Sequence, residues 1–213
     1  MKLIVFGATG NTGIQLVKEL LHDGHEVTAI VRQPDKLDLS DVCGKNLEIK
    51  KGDVLNPSTL QKAMVGKDAV LSVLGVNHRK PTTVYSEGIE NIMNEMQNCG
   101  VKRLICLSAE TLKLKQETSF IDRILITVLW KMFFNLYDDM KRMEQKVYQS
   151  ELDWTIVRPP RLTNGLQTRK YRIAINQSVH KGKGYISRAD LAECMASQLN
   201  NPDSFNSIVY ISS

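Results

Sequence analysis

The sequence predicts an α/β protein: a doubly wound parallel sheet flanked by helices, with a small C-terminal region on the substrate side. Three observations carry that prediction. The chain opens on an apolar run, a glycine turn and an amphipathic helix in direct succession. Short runs rich in branched residues then alternate with helical patterns. Several of those runs stop at glycine, serine or proline. Such alternation builds parallel strands joined by helical, right-handed crossovers.

The elements follow in order. Lys2 to Phe6 has the continuous apolar character of a strand buried on both faces. After the glycine turn, Ile14, Val17, Leu20 and Leu21 recur at helical spacing, and Gly24 closes the helix. Glu26 to Val31 is a second strand, and Leu47 to Lys50 a third, ending at Gly52-Asp53. Pro57 suits a first helical turn, so a short helix carrying Leu60, Met64 and Val65 is expected there. Ala69 to Leu74 is a fourth strand, ending at Gly75. Val84 to Gln97 is a helix stopped by Gly100, and Lys102 to Leu107 a fifth strand ending at Ser108. Phe120 to Gln149 is compatible with helix, very apolar first and charged later. Trp154 to Val157 is a sixth strand, stopped by Pro159-Pro160. Tyr171 to Ile175 is a short strand or loop. Ser187 is an N-cap for a helix running to about Leu199, with Asp190 nearly completing a capping box. Ser207 to Ile211 is the last strand.

No linker or repeat interrupts the pattern, so residues 1–213 are read as one domain. Hydrophobic residues are 42% and charged residues 24%. These are globular values, and they exclude a disordered, collagen-like or integral membrane chain. A net charge of +5 suits an anionic small molecule and lacks the concentrated basic stripe of a nucleic-acid binder. The longest apolar stretch, Ile124 to Phe134, is interrupted at Lys131 and is too short to span a bilayer. No signal peptide is visible, because Leu3-Ile4-Val5-Phe6 runs straight into glycines. Cys43, Cys99, Cys106 and Cys194 lack C-x-x-C spacing and read as free thiols in a reducing cytoplasm. His22, His25, His78 and His180 have no metal-ligand spacing.

Gly7-x-x-Gly10-x-x-Gly13 lies between strand and helix, the context that gives the pattern meaning. A pyrophosphate needs backbone N–H groups aimed at it and no side chain in the way. A strand-to-helix turn supplies both, and the helix N-terminus adds partial positive charge. Gly7 allows the tight turn, Gly10 the close approach, and Gly13 the packing of helix on strand. Thr9, Asn11 and Thr12 can add side-chain hydrogen bonds. An NAD site usually places an acid at the end of the second strand, on the ribose hydroxyls. Here that window reads Val31-Arg32-Gln33-Pro34. A guanidinium there favours a 2′-phosphate, and Lys36 can add a second charge, so NADP(H) is expected over NAD(H). Asp53 has two readings: a contact to adenine, or a cap for the Pro57 helix.

Val5-Phe6-Gly7-Ala8-Thr9-Gly10-Asn11-Thr12-Gly13, Gly52-Asp53-Val54 and Pro81-Thr82-Thr83-Val84-Tyr85-Ser86-Glu87-Gly88 resemble the atypical short-chain dehydrogenase/reductase superfamily. Within it, the chain resembles the NmrA-like NAD(P)H-binding group, which includes flavin reductase (biliverdin-IXβ reductase) and bacterial NADH-flavin reductases. Asp153 to Pro160 and Ile186 to Ala192 are similar to this group as well, so the resemblance spans nearly the whole chain. It implies a Rossmann-like fold in which the glycine loop, Thr9, Asn11 and Thr12 hold the phosphates and Arg32 the 2′-phosphate. It also implies Asp53 and Val54 beside the adenine, Leu74 and Gly75 along the ribose, Ser108 beside the nicotinamide, and a cover around Pro159 and Pro160. Where flavin reductase has histidines near its substrate, this chain has Met140 and Arg161. Its segment between Ser108 and Asp138 is also longer, by an apolar stretch around Trp130 and Phe133.

Short-chain dehydrogenases use a serine with Tyr-x-x-x-Lys on a helix. Residues four apart share a helical face, so an ammonium can lower the phenol pKa and the phenol can pass a proton to a carbonyl. Ser108, Tyr137 and Lys141 are the candidates here, against a bland reading with Tyr137 at a helix edge and Lys141 in solvent. Ser108 also ends a strand at the carboxyl edge of the sheet, where ligands bind. Without a catalytic tyrosine, a flavin or quinone still accepts hydride, because its proton can come from water. The apolar band from Phe120 through Trp130 to Leu136 is core, a lid, or a dimer face.

The expected function is therefore reduction of a small conjugated acceptor, such as a flavin or quinone, by NADPH. The partner is a small molecule, not a nucleic acid or membrane, and the protein is a cytoplasmic monomer or homodimer. The rival is a redox sensor that binds NADP(H) without turnover. A sugar-nucleotide epimerase ranks third, since it needs a working Tyr-x-x-x-Lys pair.

Overall fold

The computed structural model describes residues 1–36, 46–113, 128, 130–180 and 182–213. Its main sheet has eight strands. They are β1 (Lys2–Phe6), β2 (Glu26–Val31), β3 (Leu47–Lys51), β4 (Ala69–Ser72), β5 (Arg103–Leu107), β6 (Asp153–Arg158), β8 (Arg172–Ile175) and β10 (Ser207–Ser212). Their order is β3-β2-β1-β4-β5-β6-β10-β8, parallel throughout except that β8 runs antiparallel to β10. Two short strands, β7 (Arg161–Thr163) and β9 (Tyr185–Ser187), form a separate parallel pair. Neither β7 nor β9 is among the strands expected from the sequence.

The continuous apolar runs follow from burial on both faces. Along β1, Leu3 and Val5 enter one core, while Ile4 and Phe6 enter the other. The first core is covered by α1 (Asn11–His22) and α4 (Arg188–Ser197), through Leu16, Val17, Leu20, Leu191 and Met195. The second is covered by α2 (Ser86–Cys99) and α3 (Phe134–Tyr148), through Ile89, Ile92, Met96, Met143 and Val147. Gly100 ends α2 in the left-handed conformation, φ 72°, as a C-terminal glycine does.

Two expected helices differ. After Pro57 the chain makes only a 3-10 turn, Pro57–Thr59, and then a series of turns. Lys62 has φ 59°, and its N–H donates to Glu95 Oε1 at 2.6 Å. A residue held in the left-handed region cannot continue a right-handed helix. Leu60 and Met64 are still buried, whereas Val65 is 63% exposed. The long 120–149 pattern is broken at Phe133, whose carbonyl accepts the N–H groups of Leu136 and Tyr137 as α3 begins. Residues 120–127 and 129 of that pattern lie outside the described residues. Helix α3 is tied to the sheet by Arg158 of β6, whose Nε donates to Glu144 Oε1 at 2.8 Å and whose Nη2 bonds the other carboxylate oxygen.

The Ser187 cap forms as expected: Asp190 N–H donates to Ser187 Oγ at 3.0 Å. The Asp190 carboxylate does not return to the Ser187 N–H. It accepts instead from Ser187 Oγ, Thr168 Oγ1 and the N–H groups of Thr168 and Arg169, at 2.7–3.0 Å. Burial opposes its charge, but these bonds outweigh burial and hold its pKa below the ordinary value. A depressed folded pKa stabilises above the unfolded pKa and is lost as pH falls through the folded one. Asp190→Asn is expected to cost about 2 kcal/mol at neutral pH in urea unfolding. The gap to wild type should close as the carboxylate titrates, and an equal gap at all pH would contradict this account.

Candidate functional site

A cleft of about 1030 Å³ opens along the carboxyl ends of the parallel strands. It begins where β1 and β4 lie side by side while their connections leave in opposite directions, the switch point where ligands bind in such sheets. The glycine loop forms its floor, with Gly10 as N-cap of α1. A glycine has no side chain to cap the helix, so the first N–H groups of α1 are left for a ligand. Gly7 has φ 82°, and a Cβ there would lie 2.4 Å from Val73 O. At Gly13 a Cβ would lie 2.2 Å from Gly7 O, whereas at Gly10 the nearest atom is 3.4 Å away. The outer two glycines therefore let backbone pack on backbone, and the middle one keeps the cradle open. Thr9, Asn11 and Thr12 line the same floor.

Arg32 leaves the end of β2, is exposed, lines the cleft, and makes no hydrogen bond or ion pair among the described residues. The Lys36 side chain lies outside the described residues. Asp53 does not cap the Pro57 turn. Its Oδ1 accepts Leu55 N–H at 3.0 Å, and its own N–H donates to Thr59 Oγ1 at 2.9 Å. This local loop places Asp53 and Val54 on the cleft wall. Asn91 of α2 fixes Val54 by donating to its carbonyl at 2.8 Å. Leu74 and Gly75 line the middle of the cleft, and Pro159 lines its far end.

Ser108 follows β5, and its N–H donates to Val157 O at 2.8 Å. Its Oγ is the one buried side-chain polar atom without a partner among the described residues, in a side chain 3% exposed. A buried hydroxyl left unpaired costs about 1–3 kcal/mol, so this atom marks where a polar ligand group belongs. Tyr137 joins it on the cleft wall, its ring 5.3 Å from that of Trp130 and 6.2 Å from that of Phe133. Lys141 is exposed and does not line the cleft. The structure thus brings Ser108 and Tyr137 together and leaves the lysine in solvent. Lys141→Ala is expected to leave NADPH-dependent turnover within about twofold, since an exposed ammonium is screened by water. A hundredfold loss of kcat would return it to the mechanism. Met140 lines the cleft, whereas Arg161 is exposed and lies outside its lining.

Among the cleft residues to which the sequence analysis gave no role are Arg188 and Tyr85. Arg188, at the start of α4, lines the cleft and donates to Asn164 Oδ1 at 2.7 Å. It immediately follows Ser187, the N-cap expected from the sequence, but a cap alone does not tell that the helix starts at the cleft. Tyr85 lies inside the Pro81–Gly88 segment and also lines the cleft.

An open glycine cradle, an unpaired guanidinium past β2 and an orphaned hydroxyl past β5 fit a dinucleotide lying across the sheet edge. Fold and cleft together define a dinucleotide-binding Rossmann protein. The chain belongs to the NAD(P)H-binding family, whose sequence profile matches residues 7–202. It is similar to the protein YwnB of Bacillus subtilis, with 26% identity over 221 residues, covering 97% of this chain and 95% of that one. Its fold matches the oxidoreductase ylbE of Lactococcus lactis with a TM-score of 0.80 and 23% identity, over 100% of this chain and 91% of that one. A short-chain dehydrogenase/reductase of Veillonella parvula, solved in complex with NADP, matches with a TM-score of 0.83 and 15% identity, over 100% and 94% of the two chains.

Proposed function

We propose that this protein is an oxidoreductase that uses NADPH to reduce a small conjugated acceptor such as a flavin or quinone. The observation that carries the reading is the unpaired Ser108 hydroxyl at the nicotinamide end of a cleft whose Tyr-x-x-x-Lys pair is split between wall and solvent. A chain so equipped can bind, orient and exclude water, but among the described residues the lysine of the Tyr137/Lys141 pair does not line the cleft. That suits an acceptor whose proton comes from water better than it suits a simple carbonyl or alcohol.

In this reading the glycine-loop amides, Thr9, Asn11 and Thr12 hold the pyrophosphate, and Arg32 pairs with the 2′-phosphate. Val54 and Asp53 flank the adenine, Leu74 and Gly75 the ribose, and Pro159 covers the nicotinamide. When bound, NADPH supplies a hydride. Ser108 orients the nicotinamide side of the cleft, and Tyr137 with Met140 forms the apolar wall against which a flat acceptor stacks. The Veillonella parvula structure holding NADP in the same fold supports the choice of cofactor.

Titration with NADPH and NADH, followed by addition of a flavin and a quinone, tests the reading through loss of reduced-nicotinamide absorbance. Tight NADPH binding with acceptor-dependent oxidation is expected. Tight binding without oxidation by any acceptor would replace the reductase with a redox sensor.

A further inference from the structure

Tyr85 is fixed at both ends. Its backbone N–H donates to Asp139 Oδ2 of α3 at 2.9 Å. Its hydroxyl oxygen accepts Val76 N–H at 3.4 Å, and the side chain is 2% exposed. Both Tyr85 and Val76 line the cleft. A phenol has one hydrogen to donate, and among the described residues nothing accepts it. A core tyrosine normally finds a partner for its hydroxyl. Here the oxygen is used and the hydrogen is spare.

The position of that hydrogen is informative. Val76 follows the carboxyl end of β4, and the sheet neighbour of β4 is β5, which ends at Ser108. On the other side is α3, whose Leu136, Tyr137 and Met140 line the cleft. Asp139 lies within that stretch of α3, is fully buried, and also accepts from Ser86 N–H at 3.3 Å and from the Ser86 hydroxyl. One carboxylate therefore fastens the α3 wall of the cleft to the start of α2, with Tyr85 at the junction.

Resting on the reductase reading, we infer that the Tyr85 hydroxyl is the hydrogen-bond donor that meets the acceptor's oxygen or nitrogen as negative charge gathers there. The reduction balances without proton loss from the protein. The C–H bond of the dihydronicotinamide breaks and its two electrons leave with the hydrogen. The acceptor is reduced, the cofactor is oxidised to NADP⁺, and water supplies the acceptor's proton. Burial raises the Tyr85 pKa to about 12, with Val76 N–H partly opposing and the Asp139 charge adding to the rise. The phenol therefore keeps its hydrogen at neutral pH and stabilises charge without acting as an acid. Tyr137, packed against Trp130 and Phe133, then serves as a wall.

Tyr85→Phe removes the hydroxyl and keeps the ring. In wild type saturated with NADP⁺, 4-nitrophenol should bind as its anion, read from the nitrophenolate absorbance, and Tyr85→Phe should weaken that binding more than tenfold. With menadione as acceptor, kcat should fall about 10–100-fold, the scale of losing one preorganised donor, while the NADPH Kd stays within twofold. Unchanged kcat and unchanged nitrophenolate binding would overturn the inference. So would a loss of NADPH affinity at intact kcat, which would give the hydroxyl to the cofactor instead. In both cases wild type still oxidises NADPH, so the reductase reading survives. A wild type that oxidises no NADPH with any acceptor overturns that reading and this one with it.

Discussion

Arg32→Ala is expected to raise the Kd for NADPH by about thirty- to a hundredfold while leaving that for NADH within about twofold. Charge-assisted hydrogen bonds to a phosphate contribute roughly 1.5–3 kcal/mol, and about 1.4 kcal/mol is a factor of ten. The guanidinium is exposed and has no partner among the described residues, so its removal breaks no internal contact. The two cofactors differ only in the phosphate, and the variant should therefore separate them cleanly. Being exposed, the interaction is screened, and the NADPH advantage of wild type should shrink as salt rises. Fluorescence titration of both cofactors at two ionic strengths measures this. An equal loss for NADPH and NADH would show that Arg32 acts on the loop and not on the phosphate.

Gly13→Ala should damage both fold and cofactor binding. The new methyl would lie 2.2 Å from Gly7 O and 2.7 Å from Ala8 Cα, both backbone atoms that no rotamer change can move away. Helix α1 must shift off β1, which breaks the contacts of Leu16 and Val17 with the core. The cost is expected at about 3 kcal/mol or more, a fall in Tm of roughly 6–12 °C for a domain of this size. Gly10→Ala makes the contrast. Its Cβ meets nothing closer than 3.4 Å, so stability should hold within about 1 kcal/mol. The methyl nevertheless fills the cradle, so NADPH affinity should fall more than tenfold. Thermal melts with and without NADPH distinguish the two variants. A Gly10 variant that binds normally would remove that glycine from the phosphate site.

Much of this architecture was legible in the chain. Strand β1 and most of β2 and β4 are apolar runs, because both faces of the sheet are covered there, and the glycine loop announces itself by its place between strand and helix. What escaped depends on contacts distant in sequence. The Pro57 segment has helical residues, yet Glu95, 33 positions away, holds Lys62 in a conformation that ends any helix. The Tyr137 and Lys141 spacing is helical as required. Which face of that helix meets the cleft was decided by buried Asp139, Met143 and Glu144, and they turn Lys141 into solvent. Tyr85 stood in the Pro81–Gly88 segment, at the start of the expected helix, with no role of its own. Its importance depends on Val76 and Asp139, and no local pattern links the three. Asp53 shows the same limit on a smaller scale: its spacing to Pro57 allowed a cap, and a bond to Leu55 took precedence.

The strand order has a consequence for how the chain folds as it is made. Strands β2 to β6 can each pair with a strand already synthesised, so that part of the sheet grows as it leaves the ribosome. Strand β8 cannot, because its partner among the described residues is β10, which also closes the edge of β6. Until residues 207–212 emerge, the nascent chain carries an open parallel edge and an apolar strand with nowhere to dock. Such an edge is a template for wrong pairing. Assembly of the nucleotide-binding half is therefore early and local, whereas completion of the sheet is a late, single event that depends on its last strand.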